Sequence, residues 1–238
     1  MFDKSAAYYD ALYSWKDYEA EVAKLQDLIQ RHSLGASTLL DVACGTGKHL
    51  ELLRRSFGVE GVDLDPELLR IAAERNPGVP LHRGDMMSLD LGRTFDVVTC
   101  LFSSVAYMQT PDRLNLAIQH MAAHVAAGGV LMVEPFFGPE EFRPGEPWAS
   151  FVDEPDLKIA RMDVPTTQGH VGLITFHYLV ATSEGIEHFT EEHRLGLFTD
   201  HQYRDALSAA GLQLLQEADL MGRGLYLARK GLDGLSRG

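Results

Sequence analysis

The stretch Asp41-Val42-Ala43-Cys44-Gly45-Thr46-Gly47 decides how this chain reads. It follows the short apolar run Thr38-Leu39-Leu40 and precedes helix-like sequence to about Arg55. An apolar strand that ends in a glycine loop and passes into a helix is the opening unit of a parallel α/β sheet. Gly45 and Gly47 lack a Cβ, so the backbone can turn sharply and approach a ligand closely. Glycine pairs are common at strand–helix turns, and the reading therefore rests on what lies around this one.

Downstream, Gly58–Asp63 reads as a second strand, closed by an acid. Asp65 as N-cap and Pro66 at the first helical position announce a helix with Leu68, Ile71 and Ala72 on one side. Val79–His82 and Phe95–Cys100 follow as third and fourth strands, the third leading into Gly84-Asp85-Met86. Thr110-Pro111 opens a helix whose inward residues are Leu114, Ala117, Ile118, Met121 and Val125. It is expected to stop at Gly128-Gly129, before a fifth strand over Val130–Glu134. Strands this continuously apolar are buried on both faces, which predicts an α/β fold with a doubly wound, mostly parallel sheet.

The period breaks over residues 139–198, where β-like runs cover Leu157–Val164, Val171–Ala181 and Ile186–Phe198. Thr167-Gln168-Gly169 and Ser183-Glu184-Gly185 read as the turns between them, giving an antiparallel β insertion. Thr199 and Gln202 then stand at capping-box spacing before Tyr203, Ala206, Leu207 and Ala210, with Gly211 as the stop. Strands Leu212–Ala218 and Gly224–Arg229 close the sheet. Upstream, Tyr18, Val22, Leu25 and Ile29 share a helical face, and a shorter helix presents Tyr9, Leu12 and Tyr13. The expected division is an N-terminal helical cover (1–35), an α/β domain (36–138 and 199–230), the insertion (139–198) and a frayed tail (231–238).

Composition narrows the function classes. The 238 residues include 21 basic and 34 acidic ones, a formal charge of -13, without a Lys/Arg cluster. That argues against nucleic acid, whose binding needs a basic stripe. No apolar run approaches the roughly 18 residues of a membrane span, and no leader pattern is visible, so a cytoplasmic location is expected. Cys44 and Cys100 sit in apolar surroundings and read as core thiols. The ten histidines are scattered without metal-ligand spacing, so no metal is expected. His124, at the flank of a helical stripe, reads as a surface or boundary residue.

Ligands of such sheets bind beyond the carboxyl ends of the strands. Asp41, Asp63, Asp85 and Glu134 all fall at or near those ends. A carboxylate at Asp63 suits the two hydroxyls of a ribose, with charge-assisted bonds of roughly 1.5–3 kcal/mol each. Asp85 could accept from an adenine amino group while Met86 and Leu64 pack on the ring faces. A nicotinamide dinucleotide would call for a third glycine three residues beyond Gly47. Leu50 stands there instead, after Lys48-His49, so the loop suits a nucleoside without a diphosphate.

Together, Asp-Val-Ala-Cys-Gly-Thr-Gly, Gly-Val-Asp-Leu-Asp, Gly-Asp-Met and Phe-Asp-Val-Val resemble the class I S-adenosylmethionine-dependent methyltransferases, whose sheet is Rossmann-like. The resemblance covers about residues 36–135 plus the last two strands and departs at Ala43, where many members carry glycine. A narrower likeness joins Phe-Ser-Ser at 102–104, Val-Glu-Pro at 133–135, Leu-Phe-Thr at 197–199 and Gly-Arg-Gly-Leu at 222–225. With Lys16-Asp17-Tyr18 and His177-Tyr178-Leu179-Val180, these resemble the bacterial N,N-dimethyltransferases of dTDP-linked 3-amino-3,6-dideoxysugars. That resemblance implies that Tyr9, Tyr18, Ala43, Asp63, Asp85, Met86 and Leu101 hold the methyl donor, S-adenosylmethionine, released as S-adenosylhomocysteine. Asp41, Gly45, Gly47, Leu64 and Phe102 complete the expected donor site. Tyr107 matches a Tyr or His beside the acceptor amine. The sequence departs where the family's paired tryptophans become Phe136-Phe137 and a Ser-His pair becomes Asp163-Val164. A sugar-holding tyrosine near the N-terminus has no counterpart beyond Met1 and Phe2.

The expected reaction is in-line attack of an amine on the sulfonium methyl group, with position and desolvation contributing ~7–11 kcal/mol. Tyr107 is the first choice for a hydrogen-bond acceptor that orients the amine, and His177 the second. Ser104, Phe136, Phe137, His177 and Arg223 are the expected acceptor-site residues, Arg223 through a nucleotide diphosphate, with Trp148 as a further wall. Oxygen or carbon acceptors, a non-catalytic donor-binding protein and a nicotinamide oxidoreductase are the rival readings. Antiparallel edges in the insertion could also pair across a homodimer.

Overall fold

The computed structural model describes residues 4–218, 222 and 224–232. A 3₁₀ turn (Ser5–Tyr8) leads into α1 (Tyr9–Leu12) and α2 (Tyr18–His32), the latter capped by the Asp17 carboxylate accepting from the Ala20 N–H. Then β1 (Thr38–Val42), α3 (Lys48–Leu53), β2 (Gly58–Asp63), α4 (Pro66–Arg75), β3 (Leu81–Arg83), β4 (Phe95–Cys100), α5 (Pro111–Ala123) and β5 (Val125–Val133) alternate. The chain leaves for β6 (Trp148–Glu154), β7 (Leu157–Asp163), β8 (Thr166–Gln168), β9 (Val171–Thr182) and β10 (Gly185–Gly196). It returns through α6 (Asp200–Ala209), β11 (Leu212–Ala218) and β12 (Leu225–Lys230).

Seven strands form one sheet in the order β11-β12-β5-β4-β1-β2-β3. Strands β1 to β5 pair in parallel, while β12 runs antiparallel to both β5 and β11. The order reverses between β1 and β4, so the crevice for a ligand opens beyond their carboxyl ends. Neighbouring residues on each strand serve opposite faces, which is why the strands are apolar throughout. Leu40, Val98 and Leu131 join Leu114, Ile118 and Met121 of α5 and Leu207 of α6 in one buried cluster. Leu39, Val97 and Met132 join Leu25 and Ile29 of α2 and Leu50 and Leu53 of α3 in the other.

The insertion is a five-stranded antiparallel sheet with β10-β9-β7-β6 in sequence of pairing and β8 on β9. Its inner face meets α1, where Leu12 packs with Ile159, Tyr178, Val180 and Phe189. Both acceptors of the capping box are in place on α6: Thr199 takes the Gln202 N–H and Gln202 the Thr199 N–H. Among the described residues no helix is long and apolar enough to cross a membrane. Both cysteines are buried and free.

Several readings are corrected by the structure. Val125 belongs to β5 and not to the preceding helix, because α5 ends at Ala123 and Val125 pairs with Phe95. Gly128-Gly129 therefore marks an irregularity inside β5: Gly128 has φ 78° and a Cβ on Gly129 would stand 2.6 Å from the Asp96 carbonyl oxygen. His124 is buried; it accepts the Leu91 N–H at 2.9 Å on Nε2 and donates from Nδ1 to the His120 carbonyl at 2.7 Å. The insertion gains β6, whose mixed burial and single bulky apolar positions carry no period-2 signal, and Thr166–Gln168 is a short strand rather than a turn. Arg223 and residues 233–238 of the expected tail lie outside the described residues.

Candidate functional site

The carboxyl ends of the parallel strands open into a cavity of about 570 Å³ that continues under the insertion sheet. The loop after β1 shapes its floor. Ala43 and Gly45 both take left-handed backbone, with φ of 61° and 55°, and the Gly45 N–H donates to Asp63 Oδ2 at 2.8 Å. Asp63 ends β2 and also accepts the Asp65 N–H at 2.9 Å. Burial pushes its carboxyl up, and those backbone N–H groups pull partly back. Leu64 and, after β3, Gly84, Asp85 and Met86 line the same wall, Asp85 accepting the Met87 N–H at 2.9 Å. Gly47 does not face this space: a Cβ there would lie 2.5 Å from Asn76 Nδ2, so its role is packing against α4.

The loop after β4 forms the opposite lip. Phe102 and Ser103 are left-handed, with φ of 53° and 59°. Buried Glu134 receives the Phe102 N–H at 2.6 Å, and the Ser103 hydroxyl donates to the Pro135 carbonyl at 2.7 Å. Side-chain-bearing residues rarely hold such backbone, and three of them cluster around one crevice. Asp41 lies deeper, accepting the Thr99 hydroxyl at 2.7 Å, and burial raises its carboxyl as well. A recess of about 30 Å³ beside it is lined by Tyr9, Tyr18, Leu101 and His49 among others.

The N-terminal helices roof the cavity with Tyr9, Tyr13 and Trp15. Asp10 accepts the Thr46 hydroxyl at 2.9 Å and pairs with Arg75, tying α1 to the glycine loop and to α4. The Tyr13 ring stands edge-on to Phe102 at 4.9 Å. On the buried side of α2, Glu21 is held between Lys16 and His49, whose Nε2 lies 2.9 Å away.

The far end of the cavity carries Ser104, Tyr107, Phe136, Phe137 and Trp148, joined by Arg161, Asp163, Phe176 and His193 from the insertion. The Arg161 guanidinium is 3% exposed and stacks within 4.7–5.2 Å of the Phe176, Tyr13 and Trp148 rings. Asp163 is raised by burial, against the pull of Arg161. The Tyr107 hydroxyl meets His193 Nδ1 at 2.6 Å.

His177 is a correction. It points to the exposed face of β9 and stacks on His188 at 5.7 Å, away from the cavity. Its neighbours Phe176 and Tyr178 face inward, and alternation then sends His177 out. The histidine that does reach Tyr107 is His193, on β10. Sequence reading passed over it and Arg161, although both sit at inward positions of alternating strands: Ile159-x-Arg161-x-Asp163 and Phe189-x-Glu191-x-His193-x-Leu195. A charged or polar residue on the buried face of a strand was the available signal.

The parallel sheet with one antiparallel edge pair, the left-handed glycine loop and an acid closing β2 define a class I S-adenosylmethionine-dependent methyltransferase. Residues 39–129 match the methyltransferase domain family. The chain is 44% identical to the dTDP-3-amino-3,6-dideoxy-alpha-D-glucopyranose N,N-dimethyltransferase of Streptomyces fradiae, over 93% of this chain and 88% of that one. It is 39% identical to the dTDP-4-amino-2,3,4,6-tetradeoxy-D-glucose N,N-dimethyltransferase of Saccharopolyspora spinosa, over 92% and 90%. Among solved structures, Streptomyces venezuelae DesVI superposes with a TM-score of 0.89 at 38% identity, covering 94% of this chain and 97% of that one. CalS10 with bound S-adenosylmethionine, an amino pentose methyltransferase from Micromonospora echinaspora involved in calicheamicin biosynthesis, gives 0.85 at 39%, covering 97% and 98%. The chain belongs to the dTDP-aminosugar N,N-dimethyltransferase family of these enzymes.

Proposed function

We propose that this enzyme methylates the amino group of a dTDP-linked 3-amino-deoxysugar. The observation that carries the reading is one continuous cavity, running from the Gly45–Asp63 cradle to the Tyr107 hydroxyl and the buried Arg161. The cradle fits S-adenosylmethionine: Gly45 leaves open space where a Cβ would stand, and the Asp63 carboxylate is oriented by the backbone N–H groups of Gly45, Leu64 and Asp65. Asp63 would hold the ribose, Asp85 the adenine amino group, and Leu64 and Met86 the ring faces. Tyr9, Tyr18, Ala43, Leu101 and Phe102 would enclose the rest. Bound there, S-adenosylmethionine supplies a methyl group already activated by its sulfonium.

The chain's own residues then position the acceptor and exclude water. Tyr107 offers its oxygen to the amine, which must be uncharged to attack. Phe136, Phe137 and Trp148 wall the sugar. Arg161, held by the Ser150 and Tyr13 hydroxyls at 3.2 Å and by the rings around it, turns its positive charge toward an anionic group of the nucleotide. Two reduced core thiols suit a cytoplasmic setting. A homodimer through the insertion has one supporting feature, the edge strand β6 with exposed Phe151, and a one-chain mass in sedimentation equilibrium would remove it.

Mass spectrometry of products from a dTDP-3-amino-3,6-dideoxysugar tests the proposal. The expected products carry one and then two added methyl groups. A 4-amino isomer converted in preference, or unchanged substrate with intact donor binding, contradicts it.

A further inference from the structure

Tyr107 and His193 meet across two different parts of the chain, the loop after β4 and the buried face of β10, at 2.6 Å. A neutral imidazole has one donor and one acceptor nitrogen, so the direction of this bond decides what the tyrosine oxygen can do. His193 is 3% exposed, and burial holds its pKa down at about 4, against the raising influence of Glu191; it is neutral at working pH. Its Nε2 faces the Glu191 carboxylate at 3.9 Å. A carboxylate on that side favours the proton on Nε2, which leaves Nδ1 as the acceptor. Tyr107 keeps its own proton, since burial raises its pKa well above the ordinary value.

We infer that His193 is a positioning residue that draws the Tyr107 hydroxyl proton to its Nδ1, so that the tyrosine oxygen lone pairs face the acceptor amine. The inference deepens the amine reading above and rests on it. In the step, the amine lone pair forms the new N–C bond while the C–S bond breaks and its electrons stay with sulfur. The oxygen of Tyr107 accepts an amine N–H and aims that lone pair. The proton stays on the methylated nitrogen, which leaves as an ammonium and loses it to bulk water after release, because a buried imidazole this weakly basic is a poor sink. Had Nδ1 carried the proton, the Tyr107 O–H would be free to donate to the amine, tying up the lone pair that must attack. Glu191 secures the arrangement from behind, and is itself fixed by the N–H groups of Lys4 and Ser5 at 3.0 and 2.9 Å. The Glu191 bonds to the N-terminal turn and the Tyr107–His193 bond are thus two hydrogen-bonded units, which meet across a 3.9 Å electrostatic contact.

Imidazole nitrogen NMR of the whole enzyme without acceptor reads the tautomer directly. Nδ1 of His193 is expected to resonate as an unprotonated nitrogen, with a change at that atom alone in Tyr107→Phe. Kinetics give the second readout. His193→Leu is expected to lower kcat about tenfold, the order of one well-placed hydrogen bond, with acceptor KM within about twofold and His193→Asn restoring most of the rate through its amide oxygen. In a Tyr107→Phe background, His193→Leu should change nothing further, since the two act as one unit. A proton on Nδ1, or equal losses from His193→Leu with and without the tyrosine hydroxyl, overturns the inference. The NMR result stands whether or not amines are methylated, so failure here and failure of the functional reading are told apart.

Discussion

Ala43 carries a Cβ at φ 61°, a conformation that costs such residues about 1–2 kcal/mol. Its place between β1 and Gly45 explains the cost: the chain must bend there to bring the Gly45 N–H onto Asp63. Ala43→Gly trades that strain against the extra chain entropy of glycine, about 0.5–1 kcal/mol. A net gain of about 0.5–1 kcal/mol follows, read as a higher urea midpoint with unchanged slope. The departure from the family's glycine was visible in the sequence, but its sign was not, because φ is not written in residue types. The same limit applies to Tyr107. The tyrosine could be singled out from its motif, whereas its partner lies 86 positions later and is joined to it only by tertiary packing.

Elements with a self-contained signal were legible. Asp65-Pro66 and Thr199-x-x-Gln202 cap α4 and α6 as their spacing implies, because caps are local chemistry. β6 escaped notice because an edge strand with mostly exposed residues needs no apolar alternation. His177 was singled out and His193 passed over for a related reason: which histidine faces inward depends on the phase of each strand, which register sets and composition does not. The join between α2 and α3 was equally hidden. It rests on Glu21, 2% exposed, gripped by Lys16 and His49. Glu21→Ala strands two buried basic groups and should cost about 3 kcal/mol in urea unfolding. Burial pushes the Glu21 carboxyl up, but the bonds from His49 and Lys16 outweigh it and hold the group below the ordinary 4.5. Its stabilisation is therefore full above that pH and is lost as pH falls through the lowered value. The gap between wild type and Glu21→Ala in urea midpoint should close on acidification; a gap that widens would contradict the assignment.

At the scale of the molecule, two sheets divide the work. The seven-stranded sheet brings Asp41, Asp63, Asp85 and Glu134 to its carboxyl edge, while the antiparallel sheet and the N-terminal helices close the cavity from above. That division was readable from the change of period alone. The sharing of one cavity by both parts was not, since it depends on how the insertion folds back over the strand ends. The central claim concerns that shared cavity: its carboxylate-lined end holds the adenosine half of the methyl donor. Calorimetric titration with S-adenosylhomocysteine tests it most directly, comparing the native enzyme with Asp63→Asn. Saturable binding is predicted for the native enzyme, at least tenfold weaker in the variant, as expected for losing about 1.5–3 kcal/mol of charge-assisted bonding. Equal affinity in both proteins, or heat with a nicotinamide dinucleotide and none with S-adenosylhomocysteine, would contradict the account.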